Sequence, residues 1–134
     1  MALQINGIHH IVLTVSDPER SARFYENILG VKADFATEAV QCIPCGSFLL
    51  CLQRPPIKAL PGDRFDENRL GLDHIGFSVK SRQQLQGQLL VFNEYNVATA
   101  GIVYDPDGKS DYVCFRAPDN IQVEFYVGDY VDGS

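Results

Sequence analysis

The chain has 134 residues, 46% of them hydrophobic and 21% charged, with a formal net charge of −6 at neutral pH. That length suits one domain with a proper core and excludes two ordinary ones. No apolar run nears the roughly 20 residues that span a bilayer, and an acidic balance without any Lys/Arg cluster argues against nucleic acid as a partner.

The opening Met1-Ala2-Leu3-Gln4 lacks the basic and apolar regions of a signal peptide, so a cytoplasmic location is the default expectation. In that compartment the four cysteines are expected as thiols rather than as a disulfide framework.

In chain order, His10-Ile-Val-Leu-Thr-Val-Ser-Asp17 is a strand pattern rich in β-branched residues. Alternation sends Ile11, Leu13 and Val15 to one face and His10, Val12 and Thr14 to the other. By the same parity His9 points away from His10 and reads as a packing or surface residue. Asp17 is an N-cap with Pro18 at the first helical position, and Ala22, Tyr25, Ile28 and Leu29 recur at helical spacing until Gly30. Alternating strands are predicted over 31–36, 39–44 and 47–53. The last splits into Phe48, Leu50 and Leu52 against Leu49, Cys51 and Gln53. Cys42 and Cys45 form a C-x-x-C pair, but Pro44 and Gly46 mark a hairpin turn, not the helix start that lowers a redox thiol's pKa. A structural zinc site would need a second such pair. Residues 54–69 hold three prolines and many charges and read as a connecting loop.

The second half repeats the first. His74-Ile-Gly-Phe-Ser-Val-Lys-Ser81 matches His10–Asp17 at a constant offset of 64 residues. Ser81 caps a helix carrying Leu85, Leu89 and Phe92 and ending near Asn96, and strands are predicted over 98–104, 111–116 and 121–127. The expected fold is α+β: a single domain of 1–134 in which two βαβββ modules, about 6–54 and 70–128, flank loop 55–69. Together they form a curved mixed-sheet cup with helices on its outer face. Each strand has one apolar face and one mixed face, and a mixed face on a curved sheet suits a ligand cavity.

His10 and His74 hold equivalent places in the two modules, and Glu124 in the last strand has Cys51 as its counterpart. A pseudo-twofold axis relating the modules would bring all four together. One histidine alone more often satisfies a buried hydrogen bond. Two at equivalent places, on the face of an otherwise unexplained strand Glu, favour a divalent metal such as Fe(II), Mn(II), Zn(II) or Ni(II), with positions open for substrate. Cys51 is either a fourth, softer ligand or an apolar filler. Arg116 either binds a substrate carboxylate or points to solvent. Tyr112 shares a face with Arg116, Tyr126 lies on the mixed face with Glu124, and Thr14, Gln53, Ser78 and Gln122 are further polar groups of the cup. Loop 63–69 borders the cup or is simply solvated.

The segments His10–Asp17, Arg23-Phe24-Tyr25 through Leu29-Gly30, Gly71-Leu72-Asp73-His74-Ile75, and Ala117-Pro118-Asp119-Asn120 through Glu124 resemble the glyoxalase/bleomycin-resistance/dioxygenase superfamily, also called vicinal oxygen chelate. The resemblance implies metal ligation by His10, His74 and Glu124, a small-molecule substrate and a homodimer. It implies either a lyase, isomerase or extradiol-type dioxygenase whose substrate chelates the metal through vicinal oxygens, or a metal-free sequestering protein of the bleomycin-resistance type. Cys51 stands where glyoxalase I carries a second carboxylate, which weakens a methylglyoxal–glutathione reading. An extradiol dioxygenase also needs a nearby acid–base histidine and usually a tyrosine; with His9 facing away no histidine is spare, while Tyr112 or Tyr126 would supply the phenol.

Overall fold

The computed structural model describes residues 2–130. Chain contacts divide it into two compact units, one ending at Asp63 and the next starting at Arg64, inside the expected connecting loop. Among the described residues no helix is long and apolar enough to cross a membrane.

The first unit runs β1 (His10–Thr14), α1 (Pro18–Leu29), β2 (Phe35–Ala36), β3 (Val40–Cys45) and β4 (Phe48–Gln53). Its sheet has the order β1-β4-β3-β2, with β1 parallel to β4 and the other pairs antiparallel. The helix starts where the Asp17 side chain accepts the Arg20 amide and ends at Gly30 with φ 70°, a left-handed cap that suits glycine. It packs on β3 and β4, so that Ala22, Tyr25 and Ile28 lie buried with Leu13, Ile43, Leu50 and Leu52.

The predicted strand over 31–36 shrinks to two residues for an electrostatic reason. The Ala33 amide donates to Glu26 Oε2 at 2.6 Å, so it is not available to a sheet ladder. The same carboxylate takes Arg23 Nε at 2.6 Å, and Arg23 Nη2 reaches the buried Gln41 at 3.3 Å. One buried acid thus ties the end of the helix to the β2 approach and to the sheet beneath.

The second unit runs β5 (Ile75–Val79), α2 (Arg82–Glu94), β6 (Thr99–Asp105), β7 (Ser110–Arg116), a 3₁₀ turn (Pro118–Asn120) and β8 (Gln122–Val127). The sheet order β5-β8-β7-β6 repeats that of the first unit, again with the first and last strands parallel. Ser81 caps α2 by accepting the Gln84 amide. Leu85, Phe92, Val113, Phe115, Val123 and Phe125 form the core, with Phe92 and Phe115 ring centroids 4.8 Å apart. The architecture is α+β, two βαβββ modules, as the periodicities indicate.

One expectation fails. The β3–β4 register sets Cys42 directly opposite Cys51, and the two are joined in a disulfide. The chain therefore holds two free thiols among its described residues, Cys45 and Cys114, rather than four. Cys42 and Cys45, three apart on one strand, point to opposite faces, so the C-x-x-C spacing carries no chelate or redox pair.

The Ala33 amide, followed by the Arg23 contact, holds the Glu26 carboxyl below its ordinary range against the cost of burial. A lowered folded pKa stabilises the fold above the ordinary carboxylate value, and the contribution is lost as pH falls through the lower folded value. Glu26→Gln is expected to destabilise the protein by about 1–3 kcal/mol at neutral pH, as for a charge-assisted hydrogen bond. The difference from wild type should shrink steadily below about pH 4, as read from urea denaturation midpoints across pH.

Candidate functional site

Because the core faces are filled by apolar side chains, the opposite faces must carry the chemistry. The parallel registers make the two units directly comparable. Val12 pairs with Cys51 and Gly76 with Glu124. One strand further in, Cys42 faces Cys51 and Cys114 faces Glu124. The correspondence of Cys51 with Glu124 is thus met in each sheet, and it brings a second one with it: Cys42 stands for Cys114.

In the second unit His74 and Glu124 come together. His74 lies just ahead of β5, and its Nε2 is 3.5 Å from Glu124 Oε2. Its Nδ1 lies 2.7 Å from Asp73 Oδ1. An ionised carboxylate accepts only, so Nδ1 donates to Asp73, and Nε2 is the nitrogen turned toward Glu124. Asp73 is held in turn by Gln122 Nε2, at 2.9 Å from its carboxylate and 3.1 Å from its carbonyl. Burial raises the Glu124 pKa, His74 opposes the rise, and Asp105 and Asp73 add to it. Two ligand atoms each about 2.1 Å from one ion at a tetrahedral angle stand about 3.4 Å apart. The observed 3.5 Å spacing therefore fits a shared cation. Within either unit, among the described residues, no three His, Cys, Asp or Glu side chains gather around one point.

In the first unit His10 opens β1, exposed on the mixed face. Contrary to strand parity, His9 does not turn away: its Nδ1 is 2.8 Å from His10 Nδ1. Parity holds only inside a strand, and His9 precedes the first strand residue. His9 occupies the place that Asp73 has before His74. Of the two proton placements on this contact, only donation by His10 leaves its Nε2 lone pair for a ligand. Thr14 and Gln53 sit opposite each other in the β1–β4 register, both exposed. Cys51 is tied to Cys42, so it offers no thiolate in this state.

The remaining predicted cup residues have partners. Tyr126 donates its hydroxyl to Asp105 Oδ2 at 2.9 Å, and its ring lies nearly parallel to that of Tyr112 with centroids 6.2 Å apart. Gly108 makes room for this, since a Cβ there would collide with the Tyr126 hydroxyl. The Ser78 hydroxyl sits 2.7 Å from the Gly128 carbonyl and 2.9 Å from Asp129. Arg116 neither points to solvent nor stands open to a substrate acid. It forms a two-pronged pair with Glu67, at 3.0 and 2.7 Å, and reaches the Asn120 carbonyl at 3.1 Å. That pair pulls the Glu67 carboxyl down to about 2 and ties loop 63–69 to β7. Burial, then the Glu124 charge, raises the Cys114 thiol. Asp73, His9, Asp105 and Glu67 escaped the sequence reading. For Asp73 and His9 the signal was plain adjacency to a histidine at equivalent places in both repeats.

The family model described as Glyoxalase/Bleomycin resistance protein/Dioxygenase superfamily matches residues 7–125. No curated protein matches the chain. Among solved structures, a glyoxylase/bleomycin resistance protein/dioxygenase domain from Frankia sp. EAN1pec is 29% identical with a TM-score of 0.79, covering 94% of this chain and 100% of that one. Lactoylglutathione lyase from Agrobacterium tumefaciens is 20% identical with a TM-score of 0.73, over 92% of this chain and 95% of that one. The fosfomycin resistance protein FosX from Listeria monocytogenes is also 20% identical with a TM-score of 0.73, over 94% and 96%. At such identities the last two show a shared fold.

The hydrogen bond to Asp105 raises the Tyr126 pKa above the ordinary phenol value. Asp105→Asn should bring it back toward about 10. Ultraviolet titration of wild type and variant checks this, and coincident curves would contradict it.

Proposed function

This chain belongs to the glyoxalase/bleomycin resistance protein/dioxygenase superfamily, and from that premise we propose that it is a metal-dependent enzyme. Its substrate is a small molecule that chelates the ion through two adjacent oxygens. The ligands are His10, His74 and Glu124, and the two units act as one domain, with copies of the chain pairing as homodimers. The observation that supports this best is the Asp73–His74–Glu124 arrangement: a carboxylate fixes the imidazole, whose other nitrogen faces a second, partly desolvated carboxylate. Histidine ligands commonly carry such an outer carboxylate, and a structural histidine needs no second acid on its far side.

The ion, Fe(II), Mn(II), Zn(II) or Ni(II), supplies Lewis-acid stabilisation of negative charge on the substrate oxygens. The protein's own groups do the rest. Asp73 keeps the His74 proton on Nδ1, and Glu124 contributes a carboxylate whose charge is costly without a cation nearby. Tyr112 is the phenol open to substrate, because Tyr126 has its proton engaged with Asp105. With Cys51 bridged, no second carboxylate or thiolate corresponds to the base of a glyoxalase I site. The His9 ring beside His10 restores the spare histidine that an extradiol-type dioxygenase reaction requires, so this branch is favoured over lyase or isomerase. A second reading, metal-free sequestration of a cationic aromatic molecule, draws on the Tyr112–Tyr126 pair beside Asp105 and Glu124.

His10→Ala, His74→Ala and Glu124→Ala should each abolish stoichiometric metal uptake measured by elemental analysis. Unchanged metal content in all three sinks the metal reading, and a wild type that takes up no ion favours sequestration. Oxygen consumption with Fe(II) and a catechol panel, run beside a methylglyoxal–glutathione assay, then separates the reactions. Asp73→Ala should keep the fold yet weaken metal affinity about 10–100-fold, measured by competition with a chromophoric chelator.

A further inference from the structure

We propose that Cys42 and Cys51 form a reversible dithiol–disulfide couple that exchanges with low-molecular-weight thiols and disulfides of the glutathione class. The inference does not depend on the metal reading. It rests on where the two sulfurs lie and on what takes their places in the other unit.

The residues face each other across an antiparallel pair with Cα atoms 4.1 Å apart. That is the close-approach type of cross-strand pair, whose side chains project together from the same side of the sheet. That side is the open one. Val12, Thr14 and Gln53 on that face are exposed, and Cys42 and Cys51, themselves nearly buried, lie beneath them at 8% exposure each. The free thiol of this sheet, Cys45, is on the helix side, where burial pushes it up to about 11, and a thiol so rarely ionised exchanges slowly. The unit thus separates an inert cysteine from a facing pair by strand parity alone.

The second unit shows what the pair replaces. Its equivalent positions hold Cys114 and Glu124, a thiol and a carboxylate that cannot bond to each other. In the first unit both positions are sulfur, so the chemistry offered at the place of Glu124 depends on oxidation state. Reduced, Cys51 presents a thiol there; oxidised, it presents none.

The exchange balances without a further reactant. One protein thiolate attacks a small disulfide, forms a mixed disulfide and releases one small thiol. The second protein thiolate attacks the protein sulfur of that intermediate and expels the other small thiol. Two protein thiols lose two electrons and two protons, and the small disulfide becomes two thiols.

The test equilibrates the full native chain in glutathione buffers from fully reduced to fully oxidised, quenches with acid, alkylates under denaturing conditions and weighs the product. The expected result is a smooth two-electron transition between four and two alkylated cysteines, with the bridge mapped to Cys42 and Cys51 by peptide mass. Cys42→Ser should instead accumulate a glutathione adduct on Cys51, because the resolving thiol is gone. Three results would overturn the proposal: a bridge that survives the most reducing buffer, dithiols that never close in the most oxidising one, or adducts confined to Cys45 and Cys114. The wild-type titration decides the matter even if the variant does not fold.

Discussion

In each unit the structure depends on one parallel pairing, that of the first strand with the last. It sets Val12 against Cys51 and Gly76 against Glu124, and every other cross-strand neighbour follows. A slip of one residue would reverse both faces. Glu124 would then lie among Phe92, Val113 and Phe115, where an unpaired carboxylate costs several kcal/mol. The apolar packing beneath α1 and α2 therefore does more than stabilise. It forces His74, Glu124, Tyr112 and Tyr126 onto the face that a small molecule can reach.

Given the same scaffold, the two units have diverged in how they support their histidine. The second uses an acceptor, Asp73, which leaves one proton placement. The first uses a second imidazole, His9, which admits two. The second unit also fastens its entry loop to β7 by the Glu67–Arg116 pair, while the first fastens β3 to β4 by the Cys42–Cys51 bridge. Internal symmetry thus fixes positions and leaves the chemistry at each position free to change.

Most of the fold was legible because it rests on short-range rules. Asp17-Pro18, Gly30 and Ser81 marked helix ends, and alternation assigned faces in β1, β4, β5 and β8. The failures arose where one strand meets another or where a strand stops. His9 misled because parity was carried past the end of β1. The Cys42–Cys51 pairing needed the β3–β4 register, which turns on placing the hairpin bend at Gly46-Ser47; a bend there pairs Cys45 with Phe48 and, three steps on, Cys42 with Cys51. Arg116 was unreadable for a different reason. Its partner Glu67 is 49 residues away in sequence, in a loop whose path no periodicity describes.

The charge on the second unit's mixed face bears on what it can hold. Asp73, Asp105 and Glu124 contribute negative charge there, and Arg116, the cation of that face on β7, is already neutralised by Glu67. Burial is the largest cause of the upward shift at Glu124, and the charges of Asp105 and Asp73 add to it. A cation beside Glu124 relieves this cost of ionisation, whereas an anionic substrate arriving alone would add to it. An anionic ligand arriving alone is therefore disfavoured on this face, and a divalent ion would offset most of the charge of the three acids. The electrostatics of Asp73, Asp105 and Glu124 thus favour a cation over an anion on this face before any particular reaction is assigned.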